Sequence, residues 1–83
     1  MTITVRFFAL LRDRAGTSEF ELQLADNARV RDAADAIGRQ FPSVVAVLPR
    51  VAFAVNQQYV PVETQLGDGD ELAIIPPVSG GSR

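Results

Sequence analysis

DNARVRDAADAIGRQFP, residues 26–42, is the stretch on which the fold turns. Val30, Ala33, Ala34, Ile37 and Phe41 recur at i, i+3, i+4, i+7 and i+11, which lays a single apolar stripe along a helix. Arg31–Asp35 and Asp35–Arg39 are i,i+4 pairs on the opposite face, each worth roughly 0.2–0.5 kcal/mol. Gly38 inside the helix costs about 1 kcal/mol against Ala, a sign of close packing or of simple tolerance. Pro42 ends the helix. Arg29 stands where Ser, Thr or Asp would normally cap it, so Asp26 or Asn27 is expected to serve as the cap.

On either side of this segment the period changes to two. TITVRFFA (2–9) places Ile3, Val5 and Phe7 on one face and Arg6 and Phe8 on the other, and EFELQL (19–24) turns Phe20, Leu22 and Leu24 inward. LLRDRAGTS (10–18), with Gly16 as its turn residue, reads as the loop joining these two strands. After the helix, SVVAVLP (43–49) reads as a short helical connection. VAFAVNQ (51–57) then resumes alternation, with Val51, Phe53 and Val55 inward and Ala52 and Ala54 outward. Asn56-Gln57 makes a turn into YVP (59–61), a short edge strand on which Pro61 discourages further pairing. ELAIIPPV (71–78) is the last strand; Pro76 and Pro77 carry no N–H, so the ladder stops and the chain leaves extended.

The order strand, strand, helix, strand, short strand, strand gives one α+β unit, a mixed sheet covered on one face by one main helix. Residues 1–76 are expected to form the domain and 77–83 a flexible C-terminal tail. At 83 residues only roughly 60–65% of the unfolded surface can be buried, so the core must be simple and well filled, and the 47% apolar content supplies it. Val44, Val47 and Leu48 are expected to join that core.

Composition removes several kinds of chemistry. With no Cys and no His there is no thiol nucleophile, no imidazole base and no usual zinc ligand. A net charge of −2 argues against a protein that grips nucleic acid by neutralising phosphates. No apolar stretch approaches the roughly 20 residues that span a bilayer. MTITVRFF lacks a basic region followed by an apolar run, so no leader peptide and a cytoplasmic location are expected. All eight basic residues are Arg; without Lys, the α-amino group is the chain's own sole amine acceptor.

Two features remain to be placed. GDGDE (67–71) clusters Asp68, Asp70 and Glu71, but a calcium loop needs further oxygen ligands at set spacing, so a tight turn is the reading and no metal site is expected. Phe8, Tyr59 and Ile75 fall on the face opposite the core. Scattered apolar residues are ordinary on surfaces; three together on a face otherwise built of Ala and polar residues would mark a partner surface. The tail PPVSGGSR (76–83) has two readings: a frayed terminus, or a thread whose Gly80-Gly81 is thin enough to enter a closed active site and present a main-chain carboxylate.

VRFFALLRDRAG (5–16), AVNQ (54–57) and LGDGDELAIIPPVSGG (66–81), in this order and spacing, resemble the small sulfur-carrying subunits of molybdopterin synthase, the MoaD family. DGDE followed by PPVSGG is the most specific part. The resemblance implies a ubiquitin-like β-grasp fold and a non-catalytic sulfur donor. It implies that the carboxylate of Gly81 is adenylated with ATP by a MoeB-like E1 partner and converted to a thiocarboxylate, Gly80 keeping the thread thin. The sulfur then passes to cyclic pyranopterin monophosphate inside a MoaE-like large subunit, within a heterotetramer of two small and two large subunits. It further implies partner contacts by Phe8, Arg12, Tyr59 and Ile75, and by Pro76, Pro77 and Val78 of the exit segment, and no cofactor bound to the chain itself. Ser82-Arg83 depart from the family pattern and must be lost before Gly81 can react. Two other uses of such a domain are a ThiS-type sulfur carrier for thiamin and a protein modifier conjugated through Gly81; a plain interaction domain with an inert tail is a further class.

Overall fold

The alternation of residues 2–7 does form a strand, β1 (Thr2–Phe7), which pairs antiparallel with β2 (Glu19–Gln23), Val5 opposite Phe20 and Arg6 opposite Glu19. In the computed structural model, which describes residues 1–77, the helix predicted from the opening stretch is α2 (Val30–Gln40). Two single 3-10 turns, Pro42–Val44 and Leu48–Arg50, lead from it into β3 (Ala52–Val55), a two-residue hairpin to β4 (Gln58–Val60), and β5 (Glu71–Ile75). The sheet order is β2-β1-β5-β3-β4: the last strand enters the middle, parallel to β1 and antiparallel to β3. β4 lies at the edge and stops at Val60, directly before Pro61, which has no N–H to continue the ladder.

The apolar faces meet as their periods require. Val30, Ala33 and Ile37 of α2 lose all exposure against Ile3, Val5 and Phe7 of β1 and Leu72 and Ile74 of β5. Phe7, Phe20 and Phe41 close one end of the core as a triad, with ring centroids 4.8–5.5 Å apart and edge or tilted contacts. Gly38 is explained by packing: a Cβ there would sit 3.4 Å from Val45 and 3.5 Å from Leu48, so the turn after the helix lies directly on it.

Three expectations need correction. Residues 10–18 are not all loop: Leu10–Ala15 form a short helix, here α1, ended by Gly16 at φ 78°, whose N–H donates to the Arg12 carbonyl. Leu11 holds it down with no exposure, an anchor that six residues are too few to reveal by periodicity. Neither Asp26 nor Asn27 caps α2. The Val30 and Arg31 N–H groups donate to the carbonyls of Thr64 and Val62, and the Asp32 carboxylate accepts from the Arg29 N–H at 2.8 Å. A crossing segment from far along the chain satisfies the free donors that a cap would have served. Finally, Arg31 reaches Glu63 at 2.6 Å, and the expected pairs of Asp35 with Arg31 and Arg39 do not form among the described residues.

The connections around residues 61–71 are more built than a turn-rich reading suggests. Leu66 is buried and its N–H donates to the Ala28 carbonyl. Asp68 accepts from the Thr2 N–H, and Asp70 accepts from the Gly67 N–H and the Asn56 side chain. These carboxylates act as acceptors that seal the entry to β5.

Candidate functional site

The outward face of the sheet is ordered by register. Tyr59 of β4 stands opposite Ala54 of β3, Ala54 opposite Ala73 of β5, and Ala73 beside Arg6 of β1. One row across four strands therefore runs large, small, small, large. Ile75 and Phe8 come next along their own strands, toward the end of the sheet where β5 finishes. The two alanines form a floor, and the larger side chains stand around a shallow cleft of about 340 Å³ lined by Phe8, Tyr59, Ile75, Arg6, Gln57 and Glu71. Phe8 is 39% exposed and Tyr59 72%, so both rings have apolar surface left to bury.

Arg6 fixes the polar side of this cleft. It donates to Glu71 at 3.1 Å, lies 3.8 Å from Glu19, and its guanidinium sits 5.8 Å from the Phe8 ring centroid, a cation–π distance. Sequence reading placed Arg6 on this face but assigned it nothing. The available signal was the two-residue spacing from Phe8.

The structure thus brings Phe8, Tyr59 and Ile75 together. Arg12 stands apart, exposed on α1 and outside the cleft lining. Pro76 and Pro77 follow Ile75 directly and carry the chain off the end of the sheet. Val78, Gly80 and Gly81, with Ser82-Arg83, lie outside the described residues.

A larger groove of about 1290 Å³ runs on the other side of β3 and β4, between them and α2, past Arg31, Asp35, Gly38, Arg39, Pro49 and Val60. It holds neither Phe8 nor Ile75. It shares Tyr59 with the smaller cleft, and its carboxylates, Asp35 and Glu63, stand among Arg31 and Arg39, so size alone does not make it the site. The outward cleft lies next to the point where the chain leaves the sheet, and its unburied apolar rings are what a partner surface requires.

A five-stranded mixed sheet with its last strand inserted beside the first, wrapped on one main helix and ending in an outgoing segment, defines a ubiquitin-like β-grasp protein. Solved structures match it closely. SAMP1, the small archaeal modifier protein 1, of Haloferax volcanii superposes with a TM-score of 0.89 at 28% identity, over 98% of this chain and 100% of that one. A putative molybdopterin converting factor subunit 1 of Pyrococcus furiosus gives 0.86 at 32% identity, over 94% and 99%. A chain in the complex of subunits 1 and 2 of the molybdopterin-converting factor of Helicobacter pylori gives 0.71 at 27%, over 98% and 100%.

The chain belongs to the ThiS family, whose model matches residues 5–81. Curated relatives narrow the likeness. The molybdopterin synthase sulfur carrier subunit of Chlamydomonas reinhardtii is 42% identical over 98% of this chain and all of its own length. The Mycobacterium tuberculosis protein of the same name is 35% identical over 95% of this chain and 96% of its own.

Proposed function

We propose that this protein is the sulfur carrier of a molybdopterin synthase, with the carboxyl group of Gly81 as the position that is loaded. The observation that carries the reading is the end-to-end match to sulfur carrier subunits of that name, with the family match running through to Gly81 and stopping before Ser82-Arg83. The bare chemistry of the chain is consistent with it. A carrier whose reactive group is its own main-chain terminus needs no catalytic Cys or His, and the sequence has neither.

A carboxylate is a poor electrophile; a mixed anhydride with AMP, made at the expense of ATP by an E1-like partner, supplies a leaving group. Displacement by a sulfur donor releases AMP and leaves a thiocarboxylate on Gly81, and the docked domain holds that soft nucleophile at high effective concentration near its acceptor. The acceptor is a cyclic pyranopterin monophosphate bound by a large subunit, in an assembly of two small and two large chains. Phe8, Tyr59 and Ile75 form the apolar docking surface for these partners, Arg12 adds a charge contact, and Pro76, Pro77 and Val78 add contacts where the chain leaves the sheet. The work is done in the cytoplasm, where ATP is supplied, and the chain itself binds no cofactor.

The test is reconstitution. The chain ending at Gly81, mixed with the E1-like protein of the same genome, ATP and a sulfide source, should gain a thiocarboxylate seen by intact mass, and the same chain without Gly81 should not. Loading that is indifferent to removal of Gly81 would overturn the proposal. The likeness to a small archaeal modifier protein favours a second reading, conjugation of Gly81 to lysines of other proteins. A ladder of adducts in host extracts, lost on deletion of Gly81, is what that reading requires.

A further inference from the structure

Three residues other than glycine hold a positive φ among the described residues, and two of them, Asn56 and Gln57, make the hairpin turn between β3 and β4. The third is Ala9, at φ 52° and ψ −127°, in the link between β1 and α1. These angles lie within about 10° of the first central position of a type II′ turn, a place that favours glycine. The Leu11 N–H closes the turn on the Phe8 carbonyl at 3.1 Å, and the Asp13 N–H reaches the Ala9 carbonyl at 3.3 Å. A Cβ crowds the backbone in this conformation, and such strain persists only where the flanking structure over-determines it. Here it does. Phe7 and Leu11 are both buried, so the two ends of the link are fixed in the core and only Phe8, Ala9 and Leu10 connect them.

The strain sits between two side chains that the core does not use. Phe8 and Leu10 are both exposed, one on each side of Ala9. Phe8 is a wall of the alanine-floored cleft, and its ring has a resting place. The Arg6 guanidinium lies 5.8 Å from the ring centroid and is itself held by Glu71 at 3.1 Å. A glycine at position 9 would make the same turn without strain, but it would also open conformations that swing Phe8 away from the cleft. A Cβ there narrows the choice. The link gives up stability and gains a fixed direction for the ring.

We propose that Ala9 is a positioning residue of the docking surface, its strained turn setting the Phe8 ring against Arg6 before the large subunit arrives. This rests on the carrier reading above, in which Phe8 is a docking residue. The partner served is the large subunit because the cleft that Phe8 walls is the surface that reading gives to it. A side chain already held in its bound direction has less freedom to lose on association, so strain carried by the free domain returns as affinity.

The experiment compares the chain ending at Gly81 with its Ala9→Gly and Ala9→Ser variants. It uses thermal unfolding, calorimetric titration with the large subunit of the same genome, and NMR of the Arg6 side chain in the free protein. Ala9→Gly should raise Tm by about 4 °C or more, because the strain is relieved. It should weaken binding about three- to tenfold, the effect of one side chain left to be ordered on docking. It should also shrink the ring-current shift that Phe8 imposes on the Arg6 side-chain protons. Ala9→Ser keeps a Cβ and should match the wild type in affinity and in the Arg6 shift. Stability and affinity moving in opposite directions is the signature, since a merely structural residue would not lower affinity while raising Tm. A Gly variant that binds as tightly as wild type overturns the positioning role, and one no more stable than wild type shows an unstrained turn and overturns it too; the carrier reading stands in both cases. A wild-type chain that does not bind the large subunit removes the docking reading, and the role of Ala9 with it.

Discussion

Replacing Asn56 tests the joint between the β3–β4 hairpin and the central strand. Asn56 and Gln57 form the two-residue turn at φ 49° and 71°, the left-handed pair a tight hairpin requires. The Asn56 side chain also crosses to β5: its Oδ1 accepts the Glu71 N–H and its Nδ2 donates to Asp70, both at 3.0 Å. Asn56→Ala removes two hydrogen bonds at about 0.5–1.5 kcal/mol each, the lower half applying at an exposed site. It also puts a residue that disfavours φ > 0 into the turn, for about 1 kcal/mol more. The total is about 2–3 kcal/mol, a large share of the roughly 4–12 kcal/mol expected for a domain of this length. At about 4–8 °C per kcal/mol, Tm should fall by about 10–20 °C. Asn56→Gly separates the parts, since it loses the side-chain bonds but not the backbone fit, and should cost about half as much. The measurement is urea and thermal unfolding followed by circular dichroism. A loss under about 0.5 kcal/mol for Asn56→Ala, or equal losses for Ala and Gly, would refute the argument.

Gln57 occupies the other positive-φ position of the same turn, so Gln57→Gly should raise stability by about 0.5–1 kcal/mol in the same assay. Leu11→Ala, at a fully buried side chain on α1, should cost about 2–5 kcal/mol by urea unfolding; a smaller loss would mean that α1 is not tied into the core. Tyr59→Asp should leave Tm nearly unchanged because the side chain is 72% exposed, yet weaken binding to the large subunit about tenfold or more by calorimetry, since one buried side chain is worth about 1.5–3 kcal/mol.

The parts of this fold that could be read from sequence are those in which one period persists for several residues. β1, β2 and β5 alternate without interruption, and α2 carries its stripe through three turns, so their inward faces follow from spacing alone. What escaped was held by contacts distant in the chain. α1 is only six residues long, and Leu11 is apolar in a run that has no period. At the start of α2 the backbone of Val62 and Thr64, with the Asp32 carboxylate, takes the role expected of Asp26 or Asn27, and Arg31 pairs with Glu63 rather than Asp35. The candidate site divides in the same way. Strand parity put Phe8 and Ile75 on the outer face, but that they are neighbours depends on β5 entering beside β1, a pairing across more than sixty residues of sequence. Arg6 became visible as the polar edge of the cleft only once Glu19, Glu71 and Phe8 surrounded it.

The most direct test of the carrier reading is the intact mass of the protein purified from its own host. The account requires a chain that ends at Gly81, with a fraction in which one oxygen of the terminal carboxylate is replaced by sulfur. A chain that still ends in Ser82-Arg83, with no sulfur-bearing species when the host is making molybdopterin, would contradict it.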